Sequence, residues 1–138
     1  MVVVDTDCTS NAEMTMDNDI ATAWNCGSNS TDGWWLRYKM EAHETVVSFG
    51  YMPVGDRVHD PLTYDIAKCG DGVDIGAACG GGILGSCNST IGQTNEQTCE
   101  GWPSNVVSQY WGLHITSTGG GLPPLIREVY WLPTPAVE

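Results

Sequence analysis

Trp34-Trp35-Leu36-Arg37-Tyr38-Lys39-Met40 decides the fold class. Leu36, Tyr38 and Met40 fall on one side of an extended chain, and Arg37 and Lys39 fall on the other. Period-two alternation of this kind marks a half-buried β-strand. The pattern recurs downstream. Thr45 to Met52 carries Val47, Phe49 and Tyr51 on one face, and Pro53 ends it because proline offers no N–H to the ladder. Leu62 to Lys68 alternates through Leu62, Tyr64 and Ile66, and Cys69-Gly70-Asp71-Gly72 closes it as a turn. In Val106 to Ser117, Trp111, Leu113 and Ile115 alternate with Gly112, His114 and Thr116. Leu125 to Leu132 turns Leu125 or Ile126 inward, then Val129 and Trp131. Helical periodicity is nearly absent. Short strands separated by Gly, Asn, Asp and Pro predict an all-β sandwich or barrel. Residues 73 to 101 lack periodicity and hold three cysteines and Gly80-Gly81-Gly82. They read as a long loop tied by crosslinks, with at most one short strand.

The chain has 138 residues, enough for one domain. That domain is read as residues 1–132, and residues 133–138 as the start of a Pro/Thr linker. Hydrophobic residues make up 41% and there are 6 Trp, which excludes a disordered chain. No apolar run approaches the roughly 20 residues of a membrane helix. Asp and Glu number 17 against 5 Lys and Arg, a net charge of −12. Nucleic-acid binding by counterion release needs a basic surface and is excluded as a function. The same charge opposes attraction to anionic lipid. The acidity serves solubility, and it also supplies carboxylates for a cation.

Cysteines stand at Cys8, Cys26, Cys69, Cys79, Cys87 and Cys99, with no C-x-x-C pair. The histidines, His43, His59 and His114, are scattered. Three disulfides fit this pattern better than a zinc site, and they imply an oxidising, secreted or cell-surface setting. Fifteen connectivities remain open. Two glycosylation sequons, Asn29-Ser30-Thr31 and Asn88-Ser89-Thr90, agree with that compartment. Met1-Val2-Val3-Val4-Asp5 does not read as a secretion signal, so the expectation is a chain that is mature, trimmed, or cut from a larger secreted protein.

Met14-Thr15-Met16-Asp17-Asn18-Asp19-Ile20-Ala21-Thr22-Ala23-Trp24 carries the most chemistry. Asp17, Asp19 and Thr22 are hard oxygen donors on one tight loop, the donor type calcium selects. The spacing is not that of an EF-hand, because the closing Glu is missing. An ordinary Asp/Asn turn with Trp24 plugging the core is the other reading of these residues.

The order of pieces from Asn11 to Leu132 resembles the discoidin family. These are the coagulation factor V/VIII C-type, galactose-binding-like domains, and they include the family 32 carbohydrate-binding modules. Asp17 to Trp24 is similar to the family's D-G-[DN]-x-x-T-x-W loop, with Asn18 in place of Gly. Trp35 to Met40 resembles its W-x-x-(I/V)-D-L strand, although Lys39-Met40-Glu41 replaces the Asp-Leu-Gly that follows. Tyr51-Met52-Pro53 matches Y-x-P, and Tyr64 to Gly72 matches Y-x-I-x-x-S-x-D-G. Tyr110 to Ser117 matches Y-(V/L)-R-L-x-I-T-S, and Arg127 to Trp131 matches the closing A-E-(I/V) strand. The cysteine-rich stretch from 69 to 101 departs from the family. The resemblance implies a jelly-roll β-sandwich of about eight antiparallel strands. It also implies one structural calcium, with Asp17, Asp19 and Thr22 as side-chain ligands, Met14 as a carbonyl donor, and Arg127 and Glu128 as donors from the last strand.

Family ligands bind through loops at one end of the sandwich. The matching candidates here are Trp34, Arg57, His59, Asp60 and Trp102, since a sugar ring stacks on an aromatic face while polar groups orient it. Val54 stands where sugar-binding members often place an Arg. No G-x-S-x-G or other nucleophile signature occurs, and the best carboxylate pair is assigned to a cation. The expected function is a noncatalytic extracellular module recognising a glycan or glycoprotein. The alternative is a structural or adhesive domain of a larger extracellular assembly, making protein–protein contacts.

Overall fold

A computed structural model describes residues 3–8, 12–27, 32–103 and 105–133. Nine strands lie among them: β1 Val3–Thr6, β2 Trp24–Asn25, β3 Trp34–Glu44, β4 Val46–Pro53, β5 Pro61–Cys69, β6 Ile83–Asn88, β7 Gln97–Glu100, β8 Ser108–Thr118 and β9 Leu125–Pro133. A 3₁₀ turn covers Ala12–Met16, and one short helix, α1, covers Ile75–Gly80. Two antiparallel sheets face each other, ordered β1-β3-β8-β5-β6 and β2-β9-β4-β7. Of the expected linker, residues 134–138 lie outside the described residues, as does Asn29.

The core follows the alternation. Leu36, Tyr38 and Met40 of β3 point inward with Trp111, Leu113 and Ile115 of β8, all 3% exposed or less. Phe49 of β4 packs on Trp131 of β9 at 4.8 Å between ring centroids and on Tyr64 of β5 at 5.8 Å. Val47 departs from its expected place. A register shift between Val46 and Ser48 buries Val46 completely and turns Val47 outward to half-buried.

The stretch 73–101 is not the expected loop. It contains α1, β6 and β7, and the two strands extend one edge of each sheet. Asp74 caps α1, its carboxylate accepting from the Ala77 N–H at 3.3 Å. The helix covers the outer face of the five-stranded sheet and builds a second small core there from Trp35, Ala67, Cys69, Ile75 and Cys79, with Tyr110 packed against it. Gly112 lies beneath. A Cβ at that position would sit 2.6 Å from the Cys69 sulfur, so a side chain would push this layer off the sheet.

The disulfides pair Cys8 with Cys26, Cys69 with Cys79, and Cys87 with Cys99. Cys69–Cys79 closes a loop with a sequence separation of 10. Replacing both by Ala is expected to cost about 3 kcal/mol through unfolded-chain entropy. The midpoint of urea unfolding reads this directly, and a loss under about 1 kcal/mol would show that the outer layer holds without its crosslink.

Candidate functional site

The acidic turn after the 3₁₀ helix packs against β9. Asn18, in the place of the family glycine, adopts a left-handed backbone with φ 59°, which Asn tolerates better than other side chains. The Thr22 hydroxyl lies 2.5 Å from Asp17 Oδ2 and 2.9 Å from the Asp19 carbonyl. The Asp19 N–H donates to Asp17 Oδ1 at 3.0 Å. Asp19 Oδ1 turns back into the turn, accepting from the Ala21 N–H at 2.9 Å. Nη1 of Arg127 donates to the Ile20 carbonyl at 2.6 Å, tying the turn to β9.

Glu128 closes this cluster from β9. It is 4% exposed, and its Oε1 has no hydrogen-bond partner. Burial pushes its carboxyl up to about 7, helped by a hydrogen bond to Asp17 and by the charge of Asp17. Asp17 moves the other way, held below the usual carboxylate range first by the Thr22 hydroxyl. Thus Asp17, Thr22 and Glu128 come together from the two ends of the chain. The Asp19 side chain does not join them, and among the described residues no three His, Cys, Asp or Glu side chains converge as metal ligands. Met14 is half-buried against the main core. The donors at Asp17, Thr22 and Glu128 are all hard oxygens, and an unpartnered buried carboxylate oxygen suits a cation such as calcium.

A second constellation stands at one end of the sandwich, where loops 54–60, 89–96 and 119–124 meet. Asp60 organises it and is 1% exposed. Its carboxylate accepts from the Gly55 N–H at 3.1 Å and the Gly92 N–H at 2.8 Å, and its carbonyl accepts from the Gly119 N–H at 3.0 Å. Nδ1 of His59 donates to the Pro123 carbonyl at 2.7 Å. Arg57 is exposed and lies against Gly92. Val58 and Leu122 are each 41% exposed at the same end.

Three ligand candidates are corrected by this geometry. Asp60 is an internal brace. Trp34 is 5% exposed in the main core, as its parity with Leu36 and Tyr38 requires. Trp102 is 7% exposed, and its Nε1 donates to the Val46 carbonyl at 2.7 Å, so it plugs the sandwich and offers solvent no ring face. Arg57 and His59 remain at the loop end. Asn88 of the second sequon is exposed at the end of β6.

No protein-family model matches the chain, and no curated protein matches it. Solved structures do. The family 32 carbohydrate-binding module of C. perfringens NanJ, in complex with galactose, superposes with a TM-score of 0.71 at 15% identity, over 94% of this chain and 91% of that one. The Clostridium perfringens module CpGH89CBM32-5, in complex with GalNAc-β-1,3-galactose, gives 0.75 at 13% identity over 94% of both chains. The corresponding module of AlyQ, in complex with 4,5-unsaturated mannuronic acid, gives 0.70 at 14% identity over 95% and 94%.

The chain has the galactose-binding-like jelly-roll fold of the family 32 carbohydrate-binding modules.

Within this family 32 fold, sequence reasoning passed over two side chains, Tyr110 on β8 and Tyr130 on β9. Both are partly exposed on outer sheet faces. Parity held the signal for Tyr110: it precedes the inward Trp111 and so must point outward.

Proposed function

We propose that this domain is a noncatalytic module that binds a glycan at the loop end beside Arg57, and that a calcium ion stiffens it at the Asp17 turn. The observation that carries the reading is the coincidence of a family 32 fold with three loops braced on buried Asp60, leaving the Arg57 guanidinium exposed beside them. The galactose, GalNAc-β-1,3-galactose and mannuronic acid complexes of its structural neighbours support a glycan as the ligand class. Arg57 donates in a fixed fork to sugar hydroxyls or a carboxylate. His59 holds Pro123 through Nδ1, so Nε2 is the ring atom left for a ligand.

At the turn, Asp17, Thr22 and Glu128 would hold the calcium, with Asp19, Met14 and Arg127 contributing carbonyl oxygens. The ion supplies the positive charge that pairs the buried Glu128 carboxylate. Its role is structural, joining the N-terminal turn to the last strand. Three disulfides support an extracellular setting.

A glycan array probed with the wild-type domain and with Arg57→Ala tests the reading. The wild type is expected to retain one glycan class, and Arg57→Ala to bind it at least about tenfold more weakly, a change of about 1.4 kcal/mol. The melting temperature should stay unchanged, because Arg57 is exposed. A wild-type domain with no glycan on the array overturns the proposal. It would favour protein–protein contact through the apolar tips Val58 and Leu122 instead.

A further inference from the structure

A free sheet edge invites pairing with another chain, and charged side chains, prolines, bulges or shortness keep it from doing so. β6 is the outermost strand of the five-stranded sheet, and Ile83-Leu84-Gly85-Ser86-Cys87-Asn88 holds no charge and no proline. The other three edges are guarded: β1 carries Asp5, β7 carries Glu100, and β2 is only 2 residues long. A register shift opposite Ile66 and Ala67 distorts the start of β6 and leaves 85–88 in regular pairing with β5. Among the described residues, no backbone hydrogen bond from any other element reaches 83–88.

Asn88 stands at the end of that edge. Ser86 pairs with Asp65 and Asn88 with Thr63, so alternation places Ser86 and Asn88 on the outer face of the sheet. Cys87 between them turns inward against the main core. Ser86 is engaged, its hydroxyl donating to Asp65 Oδ1 at 2.5 Å. Asn88 is exposed, and its side-chain amide makes no hydrogen bond among the described residues.

Asn88-Ser89-Thr90 is an N-x-[ST] sequon, and the alternation runs on through it. Ser89 turns in. Its N–H donates to the Leu62 carbonyl at 2.8 Å, and its Oγ accepts from the Tyr51 hydroxyl at 2.6 Å. Thr90 is exposed again, and its hydroxyl has no partner among the described residues. The fold thus keeps outside the two side chains that the motif requires and draws in the one that it leaves free.

We infer that Asn88 carries an N-linked glycan and that this glycan shields the free edge of β6. The inference rests on the extracellular setting proposed above and is independent of any ligand at the loop end. Nδ2 of Asn88 attacks the anomeric carbon of an oligosaccharide held on a lipid pyrophosphate. The Nδ2–C1 bond forms as the bond from C1 to the pyrophosphate oxygen breaks. The lipid pyrophosphate leaves with that electron pair, and one amide proton passes to a base. A glycan is bulky and strongly hydrated, so at the end of a 6-residue edge it denies an incoming strand room to pair.

The test begins with the chain secreted from cultured insect cells. Peptide-N-glycosidase in heavy-oxygen water leaves an isotope label wherever it frees a glycan from Asn, and peptide mass spectrometry locates the label. It is expected at position 88 in the wild type and in Thr90→Ser, and is expected to be lost in Thr90→Ala, whose exposed side chain leaves the fold intact. Thiol content of the same material separates the inference from the setting beneath it. Unmodified Asn88 with all 6 cysteines oxidised overturns the inference alone, and unmodified Asn88 with free thiols overturns the extracellular setting as well. Light scattering then tests the shield. Asn88→Gln and Thr90→Ala are each expected to show at least about twofold more associated material than the glycosylated wild type, with slower amide exchange at 85–88. Equal association, or association that leaves exchange at 85–88 unchanged, overturns the shielding.

Discussion

Excess chelator is expected to lower the melting temperature by about 10 °C or more, and Glu128→Gln to abolish the difference between calcium and chelator. A cation present at a thousand times its dissociation constant stabilises the folded state by about 4 kcal/mol. For a domain of this size each kcal/mol is worth roughly 3–4 °C. A calcium ion proposed at this turn would offset a real cost, since Glu128 is 4% exposed with Oε1 unpartnered and the Asp17 charge raises its carboxyl. Without the ion, pH takes over. The Glu128 carboxyl is raised from 4.5 to about 7 in the folded protein, so the folded state holds that proton more tightly than the unfolded chain. Its stabilising contribution is complete below about 4.5 and is lost as pH climbs toward 7, on the order of 2–3 kcal/mol. Asp17, held low, works in the opposite sense in more acidic solution. In chelator the melting temperature should therefore fall between pH 5 and pH 8, and in calcium that decline should flatten. At pH 8 in chelator, Glu128→Gln should outlast the wild type, because it removes a buried unpaired charge. Superimposable wild-type melting curves in calcium and chelator would refute the cation site.

Trp111→Ala is expected to remove about 3–5 kcal/mol of stability, close to the whole margin of many domains. Trp111 is 0% exposed on β8, the middle strand of its sheet, flanked by Tyr38 on β3 and Lys68 on β5. Its ring meets Trp131 across the sandwich at 6.3 Å, and its Nε1 donates to the Ser108 carbonyl at 3.1 Å. Truncation leaves a large cavity between the sheets and an orphaned carbonyl at the start of the strand. Trp111→Phe should lose far less, because most of the ring volume survives. Urea unfolding measures both. A loss below about 1.5 kcal/mol for the Ala variant would mean that the two sheets do not meet at this ring.

The sandwich was legible where one face of a strand is buried and the other is wet, as from Leu36 to Met40 and from Trp111 to Ile115. There the period of two is dictated by the pleat. It was illegible in 73–101 for a physical reason. β6 and β7 are edge strands with little inward surface, and α1 has only six residues, too few to show a period. Adjacent Trp34 and Trp35 misled in another way. Both are buried, because the outer face of the sheet is itself covered by α1. The acidic turn was legible as a cluster of oxygen donors, but the turning of the Asp19 carboxylate back onto Ala21 depends on local backbone geometry. Between Gly101 and Pro103, Trp102 reads equally as a ligand platform and as a core plug. Its partner, the Val46 carbonyl, lies 56 residues away, and local composition carries no trace of it.

The cysteines join in the order in which they occur: first to second, third to fourth, fifth to sixth. Each bond spans no more than 18 residues and encloses no other cysteine. Chain order and shortest separation diverge at one point, since Cys79 stands 8 residues from Cys87 and 10 from Cys69. Oxidation governed by the shortest loop alone would favour a mispaired Cys79–Cys87 bond. The docking of α1 on the sheet sets Cys79 against Cys69 instead, so folding of that outer layer selects the native partner.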